Sequence, residues 1–343
     1  MRNRLREQVT GRRRAATLAD VAASAGVSAS TASRALNGRG ELSAATRAAV
    51  LEAAERLDFQ PSPLARSLRT RQTYTVGFVV PDVASPFYAA SLKGAQGALE
   101  AAGYRVMLMD SDQSIEGEVA ALRTLANHQV DGLLVATAGV ERTRFDQAVG
   151  GADTPCVFLD NVLDGAGVGA VMLENAAGMT LLVDHLREHG HTRIALLAGP
   201  QQETSGRERL QSFVAAERSE ELVRVCAWTQ AAGRGATLAL LALERPPTAV
   251  IASSVELALG CLAACREQGV SLPDELALVT FDDPDFGALL EPPLTAVGYD
   301  PREVGRAAAV LLVEAMQDHG KGRREVRVPI TLVRRRSCGC GAR

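Results

Sequence analysis

The sequence predicts an α/β fold: a helix-turn-helix head of three helices, followed by a two-lobed, doubly wound parallel body. Two observations carry this. Residues 17–59 show apolar residues at helical spacing and no strand pattern. From Tyr74 onward, short apolar runs alternate with helix-length segments at a repeat of about thirty residues, as parallel sheets with crossover helices require. Some 270 residues of this alternation exceed one sheet, so two lobes are expected. A hydrophobic fraction of 47% over 343 residues is enough to give each part a core.

The order of parts follows the chain. Residues 1–15 are polar, Arg-rich and aperiodic, and read as a disordered basic arm. Residues 16–60 form the head. Within it Thr17 and Asp20 have capping-box spacing before Leu18, Val21 and Ala22. Gly26 supplies a tight turn, Ser28 caps a second helix over Ala29–Leu36, and Ser43 caps a third that runs to Leu57. Residues 61–73, with Pro61 and Pro63, are a connector. Residues 74–337 are the body, with one lobe at about 74–172 and 300–329 and the other at 173–299 and 330–337. Residues 338–343 are a tail. Strands are expected at Val76–Val80, Val106–Met109, Gly132–Val135, Val157–Leu159, Ile194–Leu197, Ala249–Ile251 and Leu276–Val279. Helices are expected at Phe87–Ala102, Glu116–His128, Ala176–His189, Arg207–Ala216 and Val255–Gln268. In such folds ligands sit at the carboxyl ends of strands.

Charge is unevenly divided. Residues 1–73 carry 13 arginines against 6 acidic residues, a net +7, in a chain whose total is −3, so the remainder carries −10. A basic head on an acidic body points to a polyanion partner for the head alone, or to a solvated basic tail. The second helix turns Ala32, Ala35 and Leu36 to one side and leaves Ser30, Thr31, Ser33 and Arg34 on the other. Hydroxyls and one arginine there suit phosphates and base edges in a major groove; the bland reading is a solvated face of a small bundle. No stretch is apolar enough to span a membrane, and the Arg-rich start lacks the apolar core of a secretory signal. A cytoplasmic, nucleoid-associated chain with reduced thiols is expected.

The stretch Leu18-Ala19-Asp20-Val21-Ala22, Gly26-Val27-Ser28 and Thr31-Ala32-Ser33-Arg34-Ala35-Leu36-Asn37 resembles the head of the lactose-repressor (LacI/GalR) family. Pro61 with Leu64-Ala65-Arg66-Ser67-Leu68-Arg69-Thr70 resembles that family's hinge, and the likeness runs from residue 17 to about 337. The resemblance implies DNA contacts from Ser28, Ala29, Ser30, Thr31, Ser33, Arg34, Asn37, Ser43, Thr46 and Arg66. It also implies that Leu68 wedges into the minor groove from a hinge helix that folds on DNA. It further implies a homodimer on a near-palindromic double-stranded operator, and a cleft that binds a small, sugar-like effector. By position, Phe87, Tyr88, Asp160, Ser205, Arg209, Trp228, Ser253 and Asp282 are the effector contacts. Each has a plainer reading: Arg209 bracing its helix through a salt bridge, Asp282 capping a turn, Trp228 and Phe87 as packing. Four features depart from the family. Ala29 and Ser30 are small, so direct base readout there is weak. Glu41 lies near expected phosphates, Ser253-Ser254 stands where an Asn-Asp is common, and Glu203 replaces an arginine of purine-type repressors.

Enzyme readings fail on the residues. Gly165-Ala166-Gly167-Val168-Gly169 lacks dinucleotide-binding spacing and reads as a flexible loop, and no phosphate-binding loop motif occurs. Cys338 and Cys340 alone are too few metal ligands, and His185, His189 and His191 read as a helix end, so no metal and no cofactor is expected. Cys261 and Cys265 read as buried small hydrophobes. Two rivals remain: a DNA-binding regulator with a ligand-independent cleft, and a solute-binding protein.

Overall fold

The computed structural model describes residues 16–36, 41–59, 72–151, 154–163, 165–217, 220–317 and 322–340. Residues up to Thr73 and from Tyr74 onward form two separate compact units.

The first unit contains α1 (Leu18–Ser24), α2 (Ala29–Leu36) and α3 (Ala44–Arg56). The capping box is formed: the Asp20 amide donates to Thr17 Oγ1 at 3.3 Å, and the Thr17 amide donates to Asp20 Oδ2 at 2.8 Å. Gly26 ends the turn at φ +67, a left-handed conformation that costs a glycine little. The Thr31 amide donates to Ser28 Oγ and the Thr46 amide to Ser43 Oγ, each at 3.1 Å, so both serines cap as the sequence indicates. Val21, Ala32 and Val50 are fully buried where the three helices meet.

The second unit contains two six-stranded sheets. Its first elements are β1 (Thr75–Val80), α4 (Pro86–Ala101), β2 (Arg105–Asp110), α5 (Ile115–Asn127), β3 (Gly132–Val135), α6 (Arg142–Val149), β4 (Cys156–Leu159) and β5 (Gly169–Leu173). Next come α7 (Asn175–Glu188), β6 (Ile194–Ala198), α8 (Thr204–Glu217), β7 (Val223–Val225), α9 (Gln230–Leu241) and β8 (Ala249–Ala252). The last are α10 (Val255–Gln268), β9 (Ala277–Phe281), β10 (Thr295–Gly298), α11 (Pro301–Gln317), β11 (Arg324–Val328) and β12 (Thr331–Val333).

The first sheet has the order β11-β5-β4-β3-β1-β2, and every pairing in it is parallel. The second has the order β12-β10-β9-β8-β6-β7, parallel except for the antiparallel edge strand β12. The chain passes between the sheets after β5, after β10 and between β11 and β12. Phe78, Phe158, Phe213 and Phe281 are fully buried in the cores.

The expected α/β class is therefore what the chain adopts. Five strands escaped the sequence reading. β7 and β12 have only three residues each. β11 (Arg-Glu-Val-Arg-Val) is a charged edge strand, β5 opens inside the glycine-rich run, and β10 is a short stretch beyond Pro292 and Pro293. The run Gly165–Gly169 leads into a strand and opens no helix. Cys261 and Cys265 are fully buried, as expected for small apolar residues.

One expectation is corrected. Cys338 is not part of a loose tail without histidines nearby. The Leu278 amide donates to the Ser337 carbonyl and the Thr295 amide to Ser337 Oγ, both at 2.8 Å, which seats the chain end on β9 and β10. Cys338 is fully buried and lies 3.2 Å from His185 Nε2 on α7.

Candidate functional site

The loops at the carboxyl ends of both sheets enclose a cleft of about 290 Å³. Asp160 immediately follows β4 and Asp282 immediately follows β9. Both have left-handed backbones, with φ 61 and φ 76. Aspartate tolerates that region better than most residues, and such conformations concentrate at functional sites. Burial pushes the Asp160 carboxyl up to about 6; the nearby Arg209 guanidinium opposes this, and Asp282 adds to it. Burial also raises Asp282, against Arg209 and a 2.5 Å hydrogen bond that Tyr299 Oη donates to its Oδ1.

Arg209 is the one cation among the described residues lining the cleft, and it is buried. Its Nε donates to Asn175 Oδ1 at 2.9 Å and its Nη1 to the Ser253 carbonyl at 2.6 Å. The guanidinium lies 3.7 Å over the Phe281 ring. Arg209 is thus fixed by neutral acceptors and an aromatic face, while its charge acts on Asp160 and Asp282.

Trp228 forms one wall. Its Nε1 donates to Glu203 Oε2 at 2.7 Å, and Asn161 Nδ2 donates to the same oxygen at 3.2 Å. Burial nevertheless pushes Glu203 up to about 7. The indole lies so close to Gly199 that a Cβ there would come within 2.0 Å of it. Phe87 and Tyr88 pack edge to face at 5.0 Å and line the same cleft, and Phe87 also meets Tyr299 at 6.1 Å. Ser205 lines it too, its hydroxyl and amide both donating to Asn161 Oδ1 at 3.1 Å.

Seven of the eight effector contacts expected from the sequence therefore lie together on this cleft; Ser253 does not. Its hydroxyl is fully buried and donates to the Leu197 carbonyl at 2.5 Å, so only its backbone takes part, through Arg209. Ser254, one residue on, lines the cleft instead. The sequence reading also missed Glu256 and Tyr299 as lining residues and took Glu203 only as a departure from purine-type repressors. Glu203 was accessible to reasoning, since it lies in the loop after β6. Tyr299 follows β10, a strand that left no clear run. Glu256, like the others, is raised by burial. Asp82, Asp160, Glu203, Glu256 and Asp282 outnumber the single Arg209 around the cleft.

In the first unit, Ser28, Ala29, Ser30 and Arg34 are exposed, and Thr31 and Ser33 half-buried, opposite the buried Ala32 and Ala35. Arg34 Nη2 reaches Thr31 Oγ1 at 3.5 Å. Ser43 and Thr46 share a 2.8 Å hydrogen bond at the start of α3, and Glu41 is exposed just before it. Asn37, Arg66 and Leu68 lie outside the described residues.

Comparison with known proteins gives the following. Residues 17–62 match "Bacterial regulatory proteins, lacI family", and residues 183–338 match a periplasmic binding protein-like domain. The chain is 32% identical to the HTH-type transcriptional repressor CytR of Escherichia coli K12, over 90% of this chain and 92% of that protein. It is 30% identical to the ribose operon repressor of Halalkalibacterium halodurans, over 92% of this chain and 95% of that protein. A crystal structure of the Lac repressor dimer bound to operator and the anti-inducer ONPF superposes with a TM-score of 0.83 at 27% identity, over 95% of this chain and 99% of that one.

Proposed function

The chain belongs to the lacI family of bacterial regulatory proteins and is a ligand-controlled, DNA-binding transcriptional repressor rather than an enzyme; from that premise we propose which residues read DNA and what chemistry its effector has. In this reading α2 docks in the major groove. Ala29, Ser30 and Arg34 approach base edges, and Ser28, Thr31, Ser33, Ser43 and Thr46 position the sugar–phosphate backbone. Asn37, Arg66 and the Leu68 wedge complete the contact by resemblance. A homodimer on a near-palindromic operator follows, because one head reads a half-site. A cytoplasmic, nucleoid-associated location fits this role.

The effector is a small, uncharged or cationic molecule rich in hydrogen-bond donors, with an apolar face; sugars and related polyhydroxy metabolites qualify. The observation that carries this is the charge around the cleft: Asp82, Asp160, Glu203, Glu256 and Asp282 against Arg209. Carboxylates accept hydroxyl and ammonium donors and repel phosphates and acids. Arg209 then orients acceptor oxygens, and Trp228 covers the apolar face. The switch is thermodynamic: the ligand shifts DNA affinity by its differential affinity for two arrangements of the body.

Trp228 is the only tryptophan in the chain, so its fluorescence reports the cleft directly. A panel of sugars, nucleosides and their phosphates should quench or shift its emission with neutral members alone. The same compounds should change operator affinity in an anisotropy assay. Asp282→Asn should still bind operator but lose the ligand response. A phosphorylated ligand as the tightest binder would overturn the charge argument. No response to any compound would favour a ligand-independent cleft.

A further inference from the structure

Away from the cleft, residues 338–340 meet the carboxyl end of α7. His185 and His189 lie one helical turn apart there, and Cys338 and Cys340 flank a single glycine. Cys338 Sγ and Cys340 Sγ lie 3.2 Å and 3.1 Å from His185 Nε2, and 2.8 Å from each other. The three ligand atoms form one group within 4.8 Å. His189 Nε2 stands 3.2 Å from Cys340 Sγ at the rim. Its other ring nitrogen, Nδ1, is 2.7 Å from the His185 carbonyl; donating to it leaves the Nε2 lone pair directed at the sulfurs.

We infer that His185, His189, Cys338 and Cys340 form a structural site for a zinc-class divalent ion, clasping the end of the chain to α7. Several features argue for it. Thiolate and imidazole donors select zinc or cobalt over magnesium and calcium. Two helical histidines one turn apart converge on one point, and a Cys-x-Cys pair does the same from the opposite side. Both sulfurs face the same imidazole nitrogen, as two ligands of one ion do. His185 is buried, and among the described residues its Nε2 meets the two thiols alone, which are weak partners for an imidazole. Zinc at about 2.3 Å from sulfur and about 2.0 Å from nitrogen would part the two sulfurs by roughly one ångström and each sulfur from the imidazole nitrogen by roughly 0.4 Å, within the reach of side-chain rotation. With four protein ligands the site is closed, as in structural rather than catalytic centres. The surroundings are pre-set: Thr295 Oγ1 lies 3.2 Å from Cys338 Sγ, and Ser337 anchors the preceding residue on β9 and β10.

The test uses the full chain purified with a thiol reductant and loaded with zinc or cobalt alone. The expected results are one zinc per chain by elemental analysis and a thiolate-to-cobalt charge-transfer band with tetrahedral d–d absorption. A strong chelator should lower the melting temperature of the parent protein and leave that of Cys340→Ser unchanged. Cys340 and His189 are the partly exposed ligands, so their variants spare the buried side of the site. His189→Gln should weaken cobalt binding at least tenfold. Failure to retain either metal, or zinc retained undiminished in Cys340→Ser, would overturn the inference. So would recovery of Cys338 and Cys340 as a disulfide under these reducing conditions. Unchanged cobalt affinity in His189→Gln would overturn the fourth ligand.

Discussion

Replacing Arg209 by methionine keeps its length and removes its charge. The loss strands two buried acceptors, Asn175 Oδ1 and the Ser253 carbonyl, which now receive hydrogen bonds at 2.9 Å and 2.6 Å. Leaving such acceptors unsatisfied and breaking up a buried charge cluster costs about 3–5 kcal/mol. At roughly 2–4 °C per kcal/mol for a unit of this size, the melting temperature falls by ~6–20 °C. The pH dependence separates this account from simple loss of packing. Arg209 lowers the carboxyls of Asp160, now at about 6, and Glu203, now at about 7, against ordinary values of 3.8 and 4.5. In the variant both move higher still. A carboxyl raised in the folded state costs stability as pH climbs from its unfolded pKa to its folded one, because the unfolded chain releases the proton first. At pH 5 both groups are largely protonated in both proteins, and only the lost hydrogen bonds count. By pH 8 the parent has finished this titration while the variant is still losing stability, by about 1.4 kcal/mol for each further tenfold rise in a carboxyl's proton affinity. The melting gap between parent and variant must therefore widen from pH 5 to pH 8. Calorimetry across that range decides; a gap that stays constant or narrows would refute the electrostatic role.

Two further substitutions probe the cleft and the head. Gly199→Ala places a methyl where the Trp228 ring now lies and must push the indole off its hydrogen bond to Glu203. The single-tryptophan emission should shift and effector affinity should fall about tenfold, with ~1–3 kcal/mol lost from stability by overpacking; an unchanged spectrum and affinity would show that the wall can move freely. Arg34→Ala removes an exposed side chain whose described contact is the 3.5 Å approach to Thr31. Melting should stay put while operator affinity drops by about 1–3 kcal/mol, and equal operator binding by the two proteins would remove α2 from the interface.

The parts legible in the sequence were those written in local pattern. Thr17, Ser28 and Ser43 announced helix starts because a cap satisfies amides three residues away. Val76–Val80 and Gly132–Val135 announced strands because both faces of a parallel sheet are buried and the run is continuously apolar. Ser253 failed because alternation along the chain end of β8 decides which of two adjacent serines faces the cleft, and composition does not. Glu203 looked like a departure because its value depends on Trp228 and Asn161, 25 and 42 residues distant. The thiol–imidazole cluster was invisible for the same reason on a larger scale. His185 and Cys338 are 153 residues apart, and each pair alone is an ordinary helix end or chain end.

The two sheets add an argument that neither alone contains. Their strand orders correspond place for place, β11-β5-β4-β3-β1-β2 against β12-β10-β9-β8-β6-β7. In that correspondence β4 matches β9, and the residue after each is an aspartate in the left-handed region, Asp160 and Asp282. The local sequences echo this, Val157-Phe158-Leu159-Asp160 beside Val279-Thr280-Phe281-Asp282. Strain at one such residue can be an accident of a turn. The same strain recurs at equivalent places in both halves, with both carboxyls buried on one cleft and raised by that burial, and in the proposed reading a bound ligand offsets the cost of burying those carboxyls. A ligand that donates hydrogen bonds to both aspartates recovers part of this cost and bridges the halves as it does so. On the proposed reading, that would give a small polar molecule a differential hold on two body arrangements.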